Sequence, residues 1–341
     1  MVVDGQMIPA DDVVSFITRY TPLVEEIGAS FFEATTAMAF EIFKRAGVEV
    51  AVVEVGLGGR FDATNVLEPP VGAITSIALD HEQHLGHTVD RIAFEKAGII
   101  KPGMTVVCGA LPDAAMDVVR GVAAERGARL VEAAQAARVQ STMENGRARV
   151  TIETSHHRYG PALLALRGEH QVGNAAVAAA LLEAAREKGL TIPDGSVSRG
   201  FETVDWPARL ELLSLPDGAR VLLDAAHNPE GARALRDYLA RWHPERPALV
   251  VGIMRDKDAE AILRELLPVT SSVVAAAADT PRALPASELA SRVKAVDAAK
   301  LVVACTDVAT AVDTALAANR TVVVAGSIFL AGAVREHLLS R

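Results

Sequence analysis

The sequence predicts an α/β protein of two domains, and three observations carry that prediction. Val48–Val55 is an apolar, β-branched run that ends on Glu54-Val55 and opens onto Gly56, Gly58 and Gly59. Beyond Trp206-Pro207, short strand-like and helix-like segments alternate to the end of the chain, the pattern of a mostly parallel sheet. The chain is long enough for two domains at 341 residues, and its 50% hydrophobic content supplies their cores.

The elements follow in order. Residues 1–9 give a short β-like run with an Asp4-Gly5 turn. Asp11 and Asp12 are expected to cap a helix that runs to about Ile27. Ser30 with Glu33 forms a capping box for the next helix, which Gly47 ends. Val48–Val55 then reads as a strand buried on both faces. Val71–Leu79 is a second strand with Asp80-His81 at its end, followed by a helix from about Thr88 to Ala97. Thr105–Cys108 is another strand, and a helix follows Pro112. Residues 130–166 hold short alternating runs around an Asn145-Gly146 turn, so antiparallel β structure is expected there. Gln171–Lys188 is an alanine-rich helix. Trp206-Pro207 marks the domain boundary, giving domains over 1–205 and 206–341.

A net charge of −9 argues against a general nucleic-acid binder. No apolar run reaches the ~18 residues that a membrane span needs. The two cysteines, Cys108 and Cys305, lie far apart in strand-like runs, which fits reduced thiols in a cytoplasmic protein.

Several stretches could carry chemistry. A carboxylate such as Glu54 at the end of a buried strand is costly to ionise unless a cation meets it, and the carboxyl edge of a parallel sheet is where α/β proteins bind ligands. The glycines after it fail the dinucleotide fingerprint, because Phe61 stands at its last glycine position. Asp80–His87 (DHEQHLGH) is rich in histidine but lacks H-E-x-x-H, and Gly86 interrupts any helix that could align its imidazoles. Lys96 ends a helix, the ordinary place for a dipole partner. Asp224, His227 and Asn228 precede Pro229 at a strand-to-helix junction, which puts an acid, an imidazole and an amide at one sheet edge.

Taken together, EVGLGGRFDATN, SIALDHEQHLGHTVDRIAFEKAGIIKPG, GEHQVGNAAVAAA, WPARLE, DAAHNPEGA and GSIFLAG resemble the folylpolyglutamate synthase and dihydrofolate synthase group of the Mur ligase superfamily. The resemblance covers nearly the whole chain. It implies a P-loop-NTPase-like domain of Mur ligase central type followed by a Rossmann-like Mur ligase C-terminal domain. It implies an ATP- and Mg2+-dependent amide ligase, with ligands in the cleft between domains. Such a ligase phosphorylates a carboxylate of dihydropteroate or a folyl-glutamate, and L-glutamate then attacks the acyl phosphate. Carried over by position, Glu54 and His81 are metal ligands, and Lys96 is a lysine that becomes carbamylated and joins them. Asn174, Arg209, Asp224 and Asn228 fall at nucleotide-binding positions. His227 shares the Asn228 motif, which holds ATP or positions glutamate, and is counted with Lys96 as catalytic. The implied protein is a monomer without nucleic-acid or membrane partners.

Two departures stand out. Ala208 replaces the glycine of the W-P-G-R motif. The chain has no Gly-Lys dipeptide, so the G-T-N-G-K-G-S phosphate loop with which the family opens is expected to be missing, through a late start codon or a real shortening. A non-catalytic homologue that binds folate or a partner, and a peptidoglycan-type Mur ligase, are the alternative readings.

Overall fold

A computed structural model describes residues 1–340. They form two compact units, Met1–Val131 and the chain from Glu132 onward.

In the first unit β1 (Val2–Val3) and β2 (Gln6–Met7) form a hairpin, closed by Asp4 and Gly5 at φ 50° and 79°. Helices α1 (Ala10–Ile27) and α2 (Phe31–Arg45) follow. Asp11 and Asp12 lie inside the first turn of α1, and Pro9 is the residue before it. The two carboxylates therefore complement the positive end of the helix dipole rather than cap the helix. The capping box of α2 is present: Glu33 N–H donates to Ser30 Oγ (3.2 Å), and Ser30 N–H donates to Glu33 Oε2 (2.7 Å). A 3-10 turn over Ala63–Val66 precedes β3 (Val71–Ile74), α3 (Glu82–Leu85), α4 (Val89–Ala97), β4 (Thr105–Cys108), α5 (Asp113–Glu125) and β5 (Arg129–Glu132). The sheet order is β3-β4-β5, with β3 and β4 parallel. Ile92, Ala97, Val106, Cys108 and Val119 form its core against α4 and α5.

The expected strand over Val48–Val55 is not part of any sheet among the described residues. Val52 is 96% exposed, and Glu54 is exposed as well. A β-branched run is buried in a sheet only where flanking strands take up its N–H and C=O groups, and no described strand flanks this one. The cost of an ionised carboxylate in a buried strand therefore does not arise at Glu54. The strand expected over Val71–Leu79 is also shorter. It stops at Ile74, whose carbonyl accepts the last rung, from Gly109 N–H (3.0 Å).

The second unit opens with α6 (Ala133–Ala136) and an antiparallel sheet of β6 (Arg138–Glu144), β7 (Arg147–Glu153) and β8 (Arg158–Arg167). Its first hairpin turns at Asn145-Gly146, both left-handed (φ 49° and 80°). α7 (His170–Glu187) packs Ala175 and Ala179 against Val150 and Ile152 of that sheet. α8 (Ser196–Thr203) follows, then β9 (Glu211–Ser214), β10 (Arg220–Leu223), α9 (Pro229–Trp242), β11 (Ala248–Val251), α10 (Ala259–Leu266), β12 (Ser272–Ala275), α11 (Ala286–Val296), β13 (Leu301–Ala304), α12 (Val308–Ala318), β14 (Thr321–Ala325) and α13 (Ile328–Leu339). The six strands order as β13-β12-β11-β14-β10-β9, all parallel except β9. Strand alternation assigns the two faces. Leu222, Leu249, Val273 and Val323 pack under α9, α10 and α11. Val221, Leu223, Val250 and Val324 pack under α12 and α13. Both cysteines are buried, Cys108 in the first unit and Cys305 just after β13 in the second.

Candidate active site

The glycine loop of the first unit is built around Asp62, a residue that motif matching left without a role. Asp62 Oδ2 accepts the N–H groups of Gly56 and Leu57, both at 2.9 Å. Its Oδ1 accepts Thr64 N–H at 2.9 Å and the Thr64 hydroxyl at 2.5 Å. One buried carboxylate thus closes the loop on itself. The D-x-T spacing is an Asx-turn signal legible in the sequence.

The loop is then fastened to the end of α4. Arg60 N–H donates to Glu95 O (2.8 Å), and the Arg60 guanidinium grips the Glu95 carboxylate with Nε and Nη2 at 3.2 and 2.6 Å. Asn65 Nδ2 donates to Arg60 O and Gly98 O (2.9 and 3.2 Å), and Lys101 Nζ donates to Asn65 O (2.6 Å). Loop and helix approach so closely that a Cβ on Gly98 would lie 2.5 Å from Arg60 Cα. A Cβ on Gly59 would lie 2.9 Å from the carbonyl oxygens of Glu95 and Lys96.

This packing leaves a cavity of about 180 Å³ whose lining includes Gly56, Gly58, Asp80, His81, Leu85 and Lys96. His81 adopts a left-handed backbone (φ 51°), with its N–H held by Asp80 Oδ1 at 2.8 Å. Its carbonyl starts α3 by accepting His84 N–H and Leu85 N–H. Non-glycine residues in this region concentrate at functional sites. His81 and Lys96 therefore share one cavity with the glycine loop. Glu54 does not line it. His84 and His87 are exposed, and no three His, Cys, Asp or Glu side chains among the described residues gather at metal-binding distance.

A second group of matched residues collects at the carboxyl end of β10 in the other unit. Asp224 is 9% exposed. Its Oδ2 accepts Leu210 N–H (3.0 Å) and its Oδ1 accepts Ala226 N–H (2.9 Å). Burial pushes its pKa up to about 6, against the pull of those two N–H groups, Arg209 and His227. Arg209 is exposed and flanked by left-handed Ala208 and Leu210 (φ 59° and 48°). His227 Nδ1 lies 2.9 Å from Ala225 O, which fixes the tautomer as Nδ1–H. Asn228 Oδ1 caps α9 through Gly231 N–H (2.8 Å), so its helix-entry role is present. Crowding around the His170 ring and the Arg209 charge lower the His170 pKa, although the residue keeps exposed surface. His170 Nε2 accepts from Gln171 Nε2 (3.1 Å), and Gln171 Oε1 accepts from Asn174 Nδ2 (3.0 Å). Gln171 and Asn174 border an apolar cavity of about 460 Å³ walled by Leu166, Leu182 and Phe201.

Comparisons with known proteins identify the family. The family model of the Mur ligase middle domain matches residues 19–182, and that of the Mur ligase glutamate ligase domain matches residues 208–328. Folylpolyglutamate synthase of Lacticaseibacillus casei is 33% identical over 99% of this chain and 80% of its own length. A dihydrofolate synthase/folylpolyglutamate synthase of Mycobacterium tuberculosis is 37% identical, and the chain spans 63% of its length. The structure of Mycobacterium tuberculosis folylpolyglutamate synthase complexed with ADP superposes with a TM-score of 0.90 at 35% identity, covering 98% of this chain and 79% of that one. That of Escherichia coli FolC with DHPP and ADP gives 0.87 at 30% identity, covering 99% and 78%. The chain belongs to the folylpolyglutamate synthase and dihydrofolate synthase family of Mur ligases.

Proposed function

We propose that this chain performs ATP-dependent ligation of L-glutamate to dihydropteroate, a folyl-glutamate or both, through an acyl phosphate. The observation that carries the reading is the cavity of about 180 Å³ in which the glycine loop, His81 and Lys96 meet. Relatives complexed with ADP and DHPP support it. In this reading Arg209, Asp224 and Asn228 hold the nucleotide, and Asn174 meets its base at the mouth of the apolar cavity. His227 has its Nδ1–H committed to Ala225 O, which leaves Nε2 as the ring nitrogen for a role in the reaction. We place the functional domain boundary near Trp206-Pro207, in the interval between the two family models.

The first cavity offers the Asp80 carboxylate and the His81 ring as donors, and Lys96 can join them around Mg2+ only if altered. An ammonium repels a cation, whereas a carbamate on Lys96 would offer anionic oxygen of the kind Mg2+ prefers. Carbamylated Lys96 and His81 would then hold the ion, with Glu54 brought in from the exposed run before the loop. Bound there, Mg2+ would neutralise phosphate charge. The chain's own residues do the rest. In the first unit the loop amides are held in place by Asp62 and Lys96 is oriented by the end of α4; in the second unit Arg209 supplies positive charge to the nucleotide.

A second reading, a homologue that binds folate or a partner without ATP turnover, is favoured by the position of Glu54, which is exposed and does not line the cavity. Phosphate release with ATP, Mg2+, L-glutamate and either dihydropteroate or tetrahydrofolate separates the two. Ligase function gives release that needs both glutamate and the folate substrate, and Lys96→Ala abolishes it; intact mass under bicarbonate shows the carbamate. Folate binding without such release establishes the second reading, and neither binding nor release overturns both.

A further inference from the structure

Arg209 is displayed by a backbone that is unfavourable on both sides of it. Ala208 and Leu210 both carry a Cβ, and both sit in the left-handed region. Such a segment persists only where its surroundings over-determine it. Three hydrogen bonds do so. Ala208 O accepts Ala225 N–H (2.8 Å), and Leu210 N–H donates to Asp224 Oδ2 (3.0 Å). The third runs from Ala208 N–H to Glu211 Oε2 at 2.9 Å. The first two arise at the end of β10. The third comes from a residue to which neither motif matching nor the nucleotide reading gives a role.

Glu211 is itself held. Arg335 on α13 donates through Nε to both carboxylate oxygens, at 2.9 and 3.1 Å. The Glu211 side chain is only 15% exposed and that of Arg335 33%. The guanidinium leaves the carboxylate oriented with Oε2 toward Ala208 N–H, so α13 reaches the Arg209 segment through one intermediate side chain. We propose that Glu211 and Arg335 are positioning residues: a clamp that keeps Ala208–Leu210 in its left-handed path and so aims Arg209 at an anionic ligand. An ordinary ion pair at this exposure contributes little, and its loss leaves ligand affinity alone. Loss of the clamp releases Ala208 N–H and lets the segment relax to ordinary backbone angles, which redirects Arg209.

The inference rests on the reading that Arg209 contacts the nucleotide. Isothermal titration with ADP on the full chain tests both, using Arg209→Ala, Glu211→Ala, Arg335→Met and Arg335→Lys. Losing one charge-assisted phosphate contact weakens binding about tenfold. Arg209→Ala and Glu211→Ala are each expected to show that loss, Arg335→Met most of it, and Arg335→Lys a partial rescue. Adding Glu211→Ala to Arg209→Ala should cost nothing more, which is the signature of one residue acting through the other. Should Glu211→Ala fail to fold, Arg335→Met, which retains the side-chain volume, carries the same comparison. If Arg209→Ala weakens ADP binding while folded Glu211 and Arg335 variants bind normally, or if the two effects multiply, the clamp is overturned and the nucleotide reading stands. If Arg209→Ala leaves ADP binding unchanged, the nucleotide reading fails and the clamp falls with it.

Discussion

Asp62 shows how one side chain can set the shape of a whole loop. It takes three backbone N–H groups and a hydroxyl, and it is the one carboxylate in residues 56–65. Removing a charged acceptor strands its donors, at about 1.5–3 kcal/mol for each hydrogen bond to a charged group and with incomplete additivity. Asp62→Ala is therefore expected to destabilise the first unit by about 3 kcal/mol in urea unfolding. Ala208 predicts the opposite sign. A residue with a Cβ loses roughly 1–2 kcal/mol in the left-handed region, and Gly does not. Ala208→Gly should raise stability by about 1 kcal/mol, read as a higher urea midpoint at unchanged slope. Residue identities such as Lys96 and His81 were legible as motif members, and the structure brings those two into one cavity. The D-x-T spacing signals the turn with Thr64, but the grip of Asp62 on Gly56 and Leu57 was not legible because those donors are backbone groups, which a side-chain motif does not display. Glu211 was missed because its partner Arg335 lies 124 positions away.

At the scale of elements, two runs of similar composition reach opposite ends. Thr321–Ala325 is buried throughout between β10 and β11. Val48–Val55 has the same β-branched character, and Val52 is almost wholly exposed. Side-chain pattern therefore reported what a segment can bury, while the fate of each run was decided by its neighbours. Local signals did better. The Asp4-Gly5 and Asn145-Gly146 turns, the Ser30–Glu33 box and the helix over residues 89–97 were all legible, because their determinants lie within a few positions. Amide hydrogen exchange should separate the two runs. Residues 322–324 are expected to exchange only through large-scale opening, and residues 50–53 at close to the rate of an unstructured chain. Protection of residues 50–53 comparable to that of β14 would contradict the exposed path.

For the whole molecule, the α/β character and the alternation after Trp206 were legible from length and periodicity, since a mostly parallel sheet requires a helix between successive strands. The stability of the second unit should carry a pH dependence set by Asp224. In the unfolded chain its carboxyl loses its proton near 3.8, and in the folded protein only at about 6. The native state therefore binds the proton more tightly. The stabilisation this gives is fully present below about pH 4 and is lost as the pH rises through 6. A difference of this size is worth about 3 kcal/mol. Between pH 4 and pH 7 the protein should lose most of that stability relative to Asp224→Asn, measured by urea unfolding at several pH values. An unchanged difference between the two proteins across that range would show that the carboxyl is not so perturbed.

The distribution of sulfur makes the molecule its own reporter. One thiol lies in the core of each unit, with Cys108 sealed completely and Cys305 nearly so. A thiol reagent reaches such a group only when the surrounding structure opens. Labelling time courses followed separately at the two positions, by peptide mass, thus record two opening equilibria in one unmodified sample. ADP added to that sample would slow the Cys305 clock if the second unit closes on the nucleotide, by a factor that follows from its concentration and affinity.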